Sequence, residues 1–298
     1  MTSSGRNHVA IAPLPHARWE AEIAPDFQRE AAAALERGDV LFLSELAFDV
    51  SNGEEQLFSA GIAGSSKNVG FDPVAKTIGG TVLDGDERQL LAGMMARFSR
   101  HATTLADRLL PAYRGRVAQG RTSFRPVEIE GRQTSWRKDD TRLHVDAFPA
   151  TPVHGRRILR VFTNVNPERR PRTWRVGEPF DIVARRFAPQ LRLPAPGVAT
   201  ALRWLRVTKT PRTPYDALML QLHDRMKGDD AYQSQCAQMT MAFPAGSTWL
   251  AFTDQVSHAA MAGQYQLEQT FLLPVRAMID EQRSPLRILE RLKGRRLA

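Results

Sequence analysis

A mainly β core of jelly-roll type, preceded by helices and carrying a helical insertion, is the fold class this sequence predicts. Three observations point to it. Helical patterning fills the first third and stops at Pro111, and from about Gly120 the pattern turns to strands. A histidine and an aspartate, His144 and Asp146, precede the apolar run Arg157-Ile-Leu-Arg-Val-Phe-Thr-Asn-Val165. Finally, a Gly-led strand (Pro244 to Phe252), a polar turn (Thr253 to Gln255), His258, Gly263 and a last strand (Gln264 to Leu273) follow one another. That order is what a jelly roll with a ligand at its rim requires.

The length suits one domain over residues 1–298, with a helical elaboration at 1–110, a core at 111–278, an insertion at about 168–241 and a basic tail at 279–298. Residues before about Ala24 read as irregular. Asp26 to Arg37 holds a run of alanines among charged residues and reads as a helix closed by Gly38. Val40 to Leu43 reads as a short buried strand. Asp84 to Leu110 reads as a long helix, with Leu90, Leu91, Met94, Met95, Phe98, Leu105 and Leu109 on or near one face. Inside the insertion, Phe180 to Phe187 and Tyr215 to Lys227 read as helices, separated by a proline-rich stretch around Leu193 to Pro196. Ser284 to Ala298 reads as a short, basic, partly amphipathic segment with Leu286, Leu289 and Leu292 on one side.

Residues two apart on a strand share a face, so His144 and Asp146 are expected to reach one metal ion side by side. His-x-Asp also arises by chance, as an exposed pair in a loop; the strand, turn and His258 downstream favour the metal site. Two histidines and a carboxylate leave three coordination positions open, the arrangement of non-haem Fe(II) oxygenases. The open positions suit a chelating co-substrate and O2. Of the seven histidines, His8 and His16 are expected to be exposed, His101 lies in a helical pattern and His154 in a turn. His223 with Asp224 is a competing pair, but adjacent residues do not share a face.

A 2-oxoglutarate co-substrate needs a cation for its far carboxylate, and Arg meets a carboxylate with two parallel hydrogen bonds. Many such enzymes carry it on the last strand. Here that strand offers Gln264, Gln266 and Gln269 and no Arg. A branch resembling the JmjC-type hydroxylases supplies the basic residue from the strand after His-x-Asp. Alternation there puts Ile158, Arg160, Phe162 and Asn164 on one face, which makes Arg160, with Asn164 beside it, the expected 2-oxoglutarate site; Arg125 is next in line.

The net charge is +9, with 41 Lys and Arg against 32 Asp and Glu. A basic balance suits nucleic acid, an anionic membrane surface or an anionic substrate. No nucleic-acid-binding motif accompanies the arginine clusters, so no nucleic acid is expected. Cys236 is the single cysteine, Met1 to His8 holds no apolar signal-peptide run, and no run approaches a membrane span. A cytoplasmic location is therefore expected.

With these segments placed, the chain resembles the Kdo hydroxylases, 3-deoxy-D-manno-oct-2-ulosonic acid 3-hydroxylases of Gram-negative bacteria. The likeness spans most of the chain. It is carried by Gly64-Ser-Ser-Lys-Asn-Val-Gly-Phe-Asp-Pro73, Arg142-Leu-His-Val-Asp-Ala-Phe-Pro149, the run from Gly155 to Pro167, the run from Tyr215 to Asp229, and the segment around His258. The resemblance implies an Fe(II)- and 2-oxoglutarate-dependent dioxygenase acting on a Kdo sugar of Kdo-lipid A and giving the talo-octulosonate, Ko, in the lipopolysaccharide inner core. Arg125, Arg175, Lys67 and Asn68 would face that anionic glycolipid, and the basic tail would meet the inner membrane peripherally. Alternatives are an oxygenase of the same fold acting on a protein side chain or a small metabolite, a zinc hydrolase, since the same ligands bind zinc, and a non-catalytic basic binding module.

Overall fold

The apolar runs pair into two sheets in the computed structural model, which describes residues 9–298; His8 lies outside the described residues. The chain opens with β1 (Ile11–Pro13), α1 (Pro25–Arg37), β2 (Val40–Leu43), β3 (Val69–Asp72), β4 (Thr77–Gly79), the long α2 (Gly85–Leu109) and β5 (Ala118–Arg125). It continues through β6 (Arg157–Asn164), β7 (Arg172–Val176), α3 (Phe180–Phe187), α4 (Val198–Trp204), α5 (Pro214–Gly228) and α6 (Asp230–Gln235). It ends with β8 (Met239–Phe243), β9 (Thr248–Phe252), β10 (His258–Ala262), β11 (Gln266–Leu273) and α7 (Pro285–Lys293). The large sheet has the order β1-β2-β9-β6-β11-β5-β3-β4 and the small one β10-β7-β8. The large sheet, its N-terminal helices and the helices between β7 and β8 agree with the expected mainly β fold.

Local chemistry explains the helices. α1 begins with proline at its first position, Asp26 in its first turn and Arg37 in its last, which matches the helix dipole. Gly38 ends it at φ 90°, a left-handed conformation that costs glycine nothing. α2 buries Leu91, Met94, Met95, Phe98, Leu105 and Leu109 and lies against β5, β11 and β3 of the large sheet.

β6 is central, between β9 and β11, and every residue in it is buried. Alternation along it therefore decides which layer a side chain enters. Phe162 enters the space between the sheets, where it packs with Trp174, Phe243 and Trp249. The Phe243 and Trp249 rings stack at 4.2 Å, and Phe162 stacks on Trp249 at 5.4 Å. Aromatic pairs of this kind add about 0.5–1.5 kcal/mol each beyond the area they bury. Gly263 turns the chain from β10 into β11 at φ 107°, and a Cβ there would lie 2.9 Å from the Pro171 carbonyl oxygen. Only glycine fits both demands.

Three expectations change. The segment before Ala24 contains β1, which pairs parallel with β2, because Ile11 can cover an otherwise open sheet edge. The span expected as an insertion includes β7, the middle strand of the small sheet; Arg172-Thr-Trp-Arg-Val176 alternates, a pattern hidden by the arginines before it. The tail does not offer its leucines to a membrane: Leu286 and Leu289 are buried, and Leu292 is partly buried against the core. Its cations are largely engaged within the protein, since Arg287 pairs with Glu281 and Glu290 and Lys293 donates to the Ala188 and Leu191 carbonyls. An amphipathic helix buries its apolar stripe wherever a core lies within reach, and here α7 packs on α3.

On the other side of β6, Arg157 is fully buried. It donates to Asp254 at 2.7 Å and to Gln255, with its guanidinium 3.9 Å from the centre of the Phe252 ring. Asp254 also accepts the Ile158 N–H, so this pair ties β6 to the turn that leads into His258. Arg157→Ala should cost about 3–5 kcal/mol in urea unfolding, because it strands a buried carboxylate. Arg157→Met with Asp254→Leu should recover much of that loss; equal instability of the double variant would contradict this reading.

Candidate metal centre

A two-way backbone exchange builds the site. The His144 N–H donates to the His258 carbonyl at 3.0 Å, and the His258 N–H donates to the His144 carbonyl at 2.9 Å. The Asp146 N–H donates to the Thr253 carbonyl at 2.8 Å. His144 and Asp146 are thus not on a regular strand, as the spacing suggested, but on an extended segment joined to β10 by one isolated bridge. The extended backbone still sends both side chains the same way. His144 Nε2 lies 3.9 Å from Asp146 Oδ1, and one ligand atom from each of His144, Asp146 and His258 falls within 4.8 Å of the others. The imidazole centres are 4.8 Å apart.

Each ring is held in one tautomer. His144 Nδ1 lies 2.8 Å from the Arg142 carbonyl, and His258 Nδ1 lies 2.8 Å from the Val256 carbonyl. A carbonyl only accepts, so Nδ1 carries the proton and Nε2 keeps its lone pair for a metal. Trp174 stacks on His258 at 5.0 Å and fixes the plane of that ring. Burial, and then the neighbouring His258, hold the His144 pKa well below the ordinary histidine value. Burial lowers His258 as well. Burial alone would raise Asp146, but Arg160, followed by His258 and His144, keeps it below the usual carboxylate range. Two neutral imidazoles and one carboxylate form the donor set a divalent metal needs. Among the described residues, this is the one cluster of three such side chains that could hold a metal ion.

His144, Asp146 and His258 lie at the wall of a cavity of about 240 Å³ between the two sheets. Register sets the rest of its wall. Gln266 lies opposite Arg125 on β5 and Glu268 lies opposite Phe162 on β6, so Arg125, Gln266, Glu268, Phe162 and Arg160 share one face. Glu268 receives Arg125 at 2.8 Å and Arg160 at 2.9 Å, and Arg160 also reaches Asp146 Oδ2 at 3.1 Å. Burial would raise Glu268, and the two guanidiniums, Arg125 first, pull it below its ordinary value.

The expected site residues divide. Arg160, Arg125, Lys67 and Asn68 line the cavity; Lys67 is held by the Lys138 carbonyl and Asp140, and Asn68 accepts from Arg125 at 3.5 Å. Asn164 does not line it. Its amide donates to the Arg170 and Phe243 carbonyls and accepts the Asn166 N–H, so it holds backbone at the strand end. Arg175 also lies elsewhere, donating to the Thr141 carbonyl and to Gln238. Alternation along β7 sends Arg172 and Trp174 into the cavity instead, a signal visible in the sequence once that segment is read as a strand. His16 is half-buried against Phe27, and His223 bonds Asp224 while its ring meets the edge of His144 at 5.2 Å.

Arg172 stands apart from the other cavity arginines. It donates to the Gly263 carbonyl and forms none of the cavity ion pairs made by Arg125 and Arg160. Burial, with Arg125 nearby, pushes its pKa down to about 9. Arg160 Nε, Arg172 Nε, Trp174 Nε1 and Gln266 Oε1 are buried and have no hydrogen-bond partner within the protein. Orphaned polar groups around one cavity mark the place of a polar, anionic ligand.

Two imidazoles, one carboxylate and a cationic cavity between two β-sheets define the class of mononuclear non-haem iron oxygenases. The chain matches the family model described as 3-deoxy-D-manno-oct-2-ulosonic acid (Kdo) hydroxylase over residues 18–296, and it belongs to that family. It is similar to the crystal structure of the Kdo hydroxylase KdoO, a non-haem Fe(II) alpha-ketoglutarate-dependent dioxygenase, in complex with alpha-ketoglutarate and Fe(III). The two are 44% identical over 97% of each chain, with a TM-score of 0.94. The cobalt(II) complex of KdoO is similar at 44% identity, 96% of this chain, 97% of that one and a TM-score of 0.95. The complex with succinate and Fe(III) gives 44%, 96%, 97% and 0.93. A search of the curated proteins returned no match.

The depressed histidines set a pH dependence. The folded apoprotein keeps both imidazoles neutral below the ordinary value of about 6.5, whereas the unfolded chain takes up protons there. Stability of the metal-free protein should therefore hold above about pH 6.5 and decline as the pH falls below it. Co(II) affinity should follow the same sign but weaken only at lower pH, staying flat from about pH 7.5 through 6.5 because the folded imidazoles are still neutral there. Affinity that falls steeply as the pH drops from about 7 to 6 would show that the histidines titrate normally.

Proposed function

We propose that the protein is an Fe(II)- and 2-oxoglutarate-dependent dioxygenase that hydroxylates a Kdo sugar. The observation that carries this is the convergence of His144, Asp146 and His258 on a cationic cavity in a chain of the Kdo hydroxylase family. When bound, Fe(II) supplies the redox chemistry that couples decarboxylation of 2-oxoglutarate by O2 to hydroxylation of an unactivated C–H bond. The protein's own residues position the reactants. His144, Asp146 and His258 would hold the metal and leave room beside it for the co-substrate and O2. Asp146 stays ionised beside Arg160, and Glu268 orients Arg160 and Arg125 together.

For the distal carboxylate of 2-oxoglutarate, Arg160 lies in the cavity as the alternation of β6 requires, and Arg172 supplies the guanidinium with no carboxylate of its own. We assign the carboxylate to both. The acceptor we propose is a Kdo residue on lipid A, an anionic glycolipid met from the cytoplasmic side, with Lys67, Asn68 and Arg125 at the cavity wall facing it. The basic balance of the chain, +9, supports an anionic acceptor.

Succinate release from 2-oxoglutarate should require Fe(II) and rise when Kdo-lipid A is added, and mass spectrometry should show the acceptor gaining one oxygen. Succinate release without any oxygenated sugar would leave the oxygenase and remove the substrate. Arg172→Ala and Arg160→Ala should each raise the KM for 2-oxoglutarate by one to three orders of magnitude, about 1.4–4 kcal/mol, while Co(II) still binds. An unchanged KM in either variant would remove that arginine from the co-substrate site.

A further inference from the structure

The stretch from Leu193 to Lys209 exposes more apolar surface than the chain around it. Trp204 is 82% exposed, Leu205 61% and Val207 49%, and Val198 and Leu193 are exposed as well. None of the residues of α4 is buried. A folded chain leaves a tryptophan so bare beside other exposed apolar side chains where something else covers it.

The surrounding charge says what covers it. No Asp or Glu lies between Asp181 and Asp216, while Arg185, Arg186, Arg192, Arg203, Arg206, Lys209 and Arg212 all do. Two copies of this face would set cations against cations, which opposes self-association. A nucleic-acid backbone would satisfy the cations and leave Leu205 and Val207 in water. Anionic headgroups above an acyl layer satisfy both, with tryptophan at the boundary and arginines among the headgroups.

The segment is also wired to the site. The Lys209 N–H donates to the Ala150 carbonyl at 3.0 Å, and Arg212 donates to the Pro149 carbonyl at 2.6 Å. Pro149 and Ala150 belong to the loop that leaves the metal ligand Asp146, and Phe148 of the same loop lies 5.6 Å from the Arg160 guanidinium. A surface that holds this segment therefore stands one loop away from the metal centre.

We propose that the segment around α4, with Trp204, Leu205, Val207, Arg203 and Arg206 at its centre, docks the protein on an anionic lipid surface. The inference stands whichever sugar the enzyme oxidises. It also moves membrane contact from the C-terminal tail, whose leucines are in the core, to the segment between α3 and α5.

Flotation of the full-length protein with phosphatidylcholine vesicles, with and without phosphatidylglycerol, tests it at low and high salt. The wild type should bind only the anionic vesicles and release in high salt. Arg203→Gln with Arg206→Gln should weaken binding about fivefold for each cation removed. Trp204→Ser with Leu205→Ser should weaken it about tenfold or more, with the thermal midpoint unchanged because both side chains are exposed. Arg295→Gln with Arg296→Gln, in the tail, should bind as the wild type does. Wild-type binding that is absent, or equal on neutral vesicles, would overturn the proposal, as would α4 variants that float like the wild type. So would a wild-type dimer that Trp204→Ser with Leu205→Ser turns into a monomer, since a second copy would then be the partner.

Discussion

The structure depends on the paired hydrogen bonds between His144 and His258. One isolated bridge joins an extended segment to the first residue of β10 and brings two imidazoles within 4.8 Å of each other. The two residues are far apart in sequence, so the contact closes a large loop, and its entropic cost falls on the surrounding fold. Several features carry that cost. β6 is buried along its whole length between β9 and β11, and Arg157 with Asp254 locks β6 to the turn before His258. The stacked rings of Phe162, Trp249 and Phe243 fill one part of the space between the sheets, and the ligand cavity remains in another.

Charge in that cavity is paired except at one arginine. Glu268 pairs with both Arg125 and Arg160, and Arg160 in turn holds Asp146 ionised. Arg172 is left with a carbonyl partner and an orphaned Nε. A buried guanidinium without an anion is costly, and an anionic co-substrate bound there, as we propose, would remove that cost. The feature that costs stability would then give the co-substrate its affinity, a trade common at functional sites.

Much of this was legible in the sequence, and the misses have physical reasons. The ends of α1, β2, α2 and α3 fall within a residue of those expected, because apolar periodicity marks each element and Gly38 and Pro111 mark where the two longer helices stop. The convergence of His144 and Asp146 was legible because spacing of two on extended backbone works with or without a regular strand. β7 was missed because a five-residue strand flanked by arginines has too short a period to stand out. With it went Arg172 and Trp174, and Arg175 was chosen from the wrong face. Asn164 was placed on the correct face, but a strand end needs its amide for backbone. The tail misled because an amphipathic pattern states that a face is buried without stating against what.

The X-ray absorption spectrum of the anaerobic Fe(II)-loaded protein tests the central claim most directly. The account predicts one iron per chain, with two imidazole nitrogens at about 2.1 Å in the wild type and one in His258→Ala. A wild-type spectrum without imidazole scattering, or one that His258→Ala leaves unchanged, would contradict it.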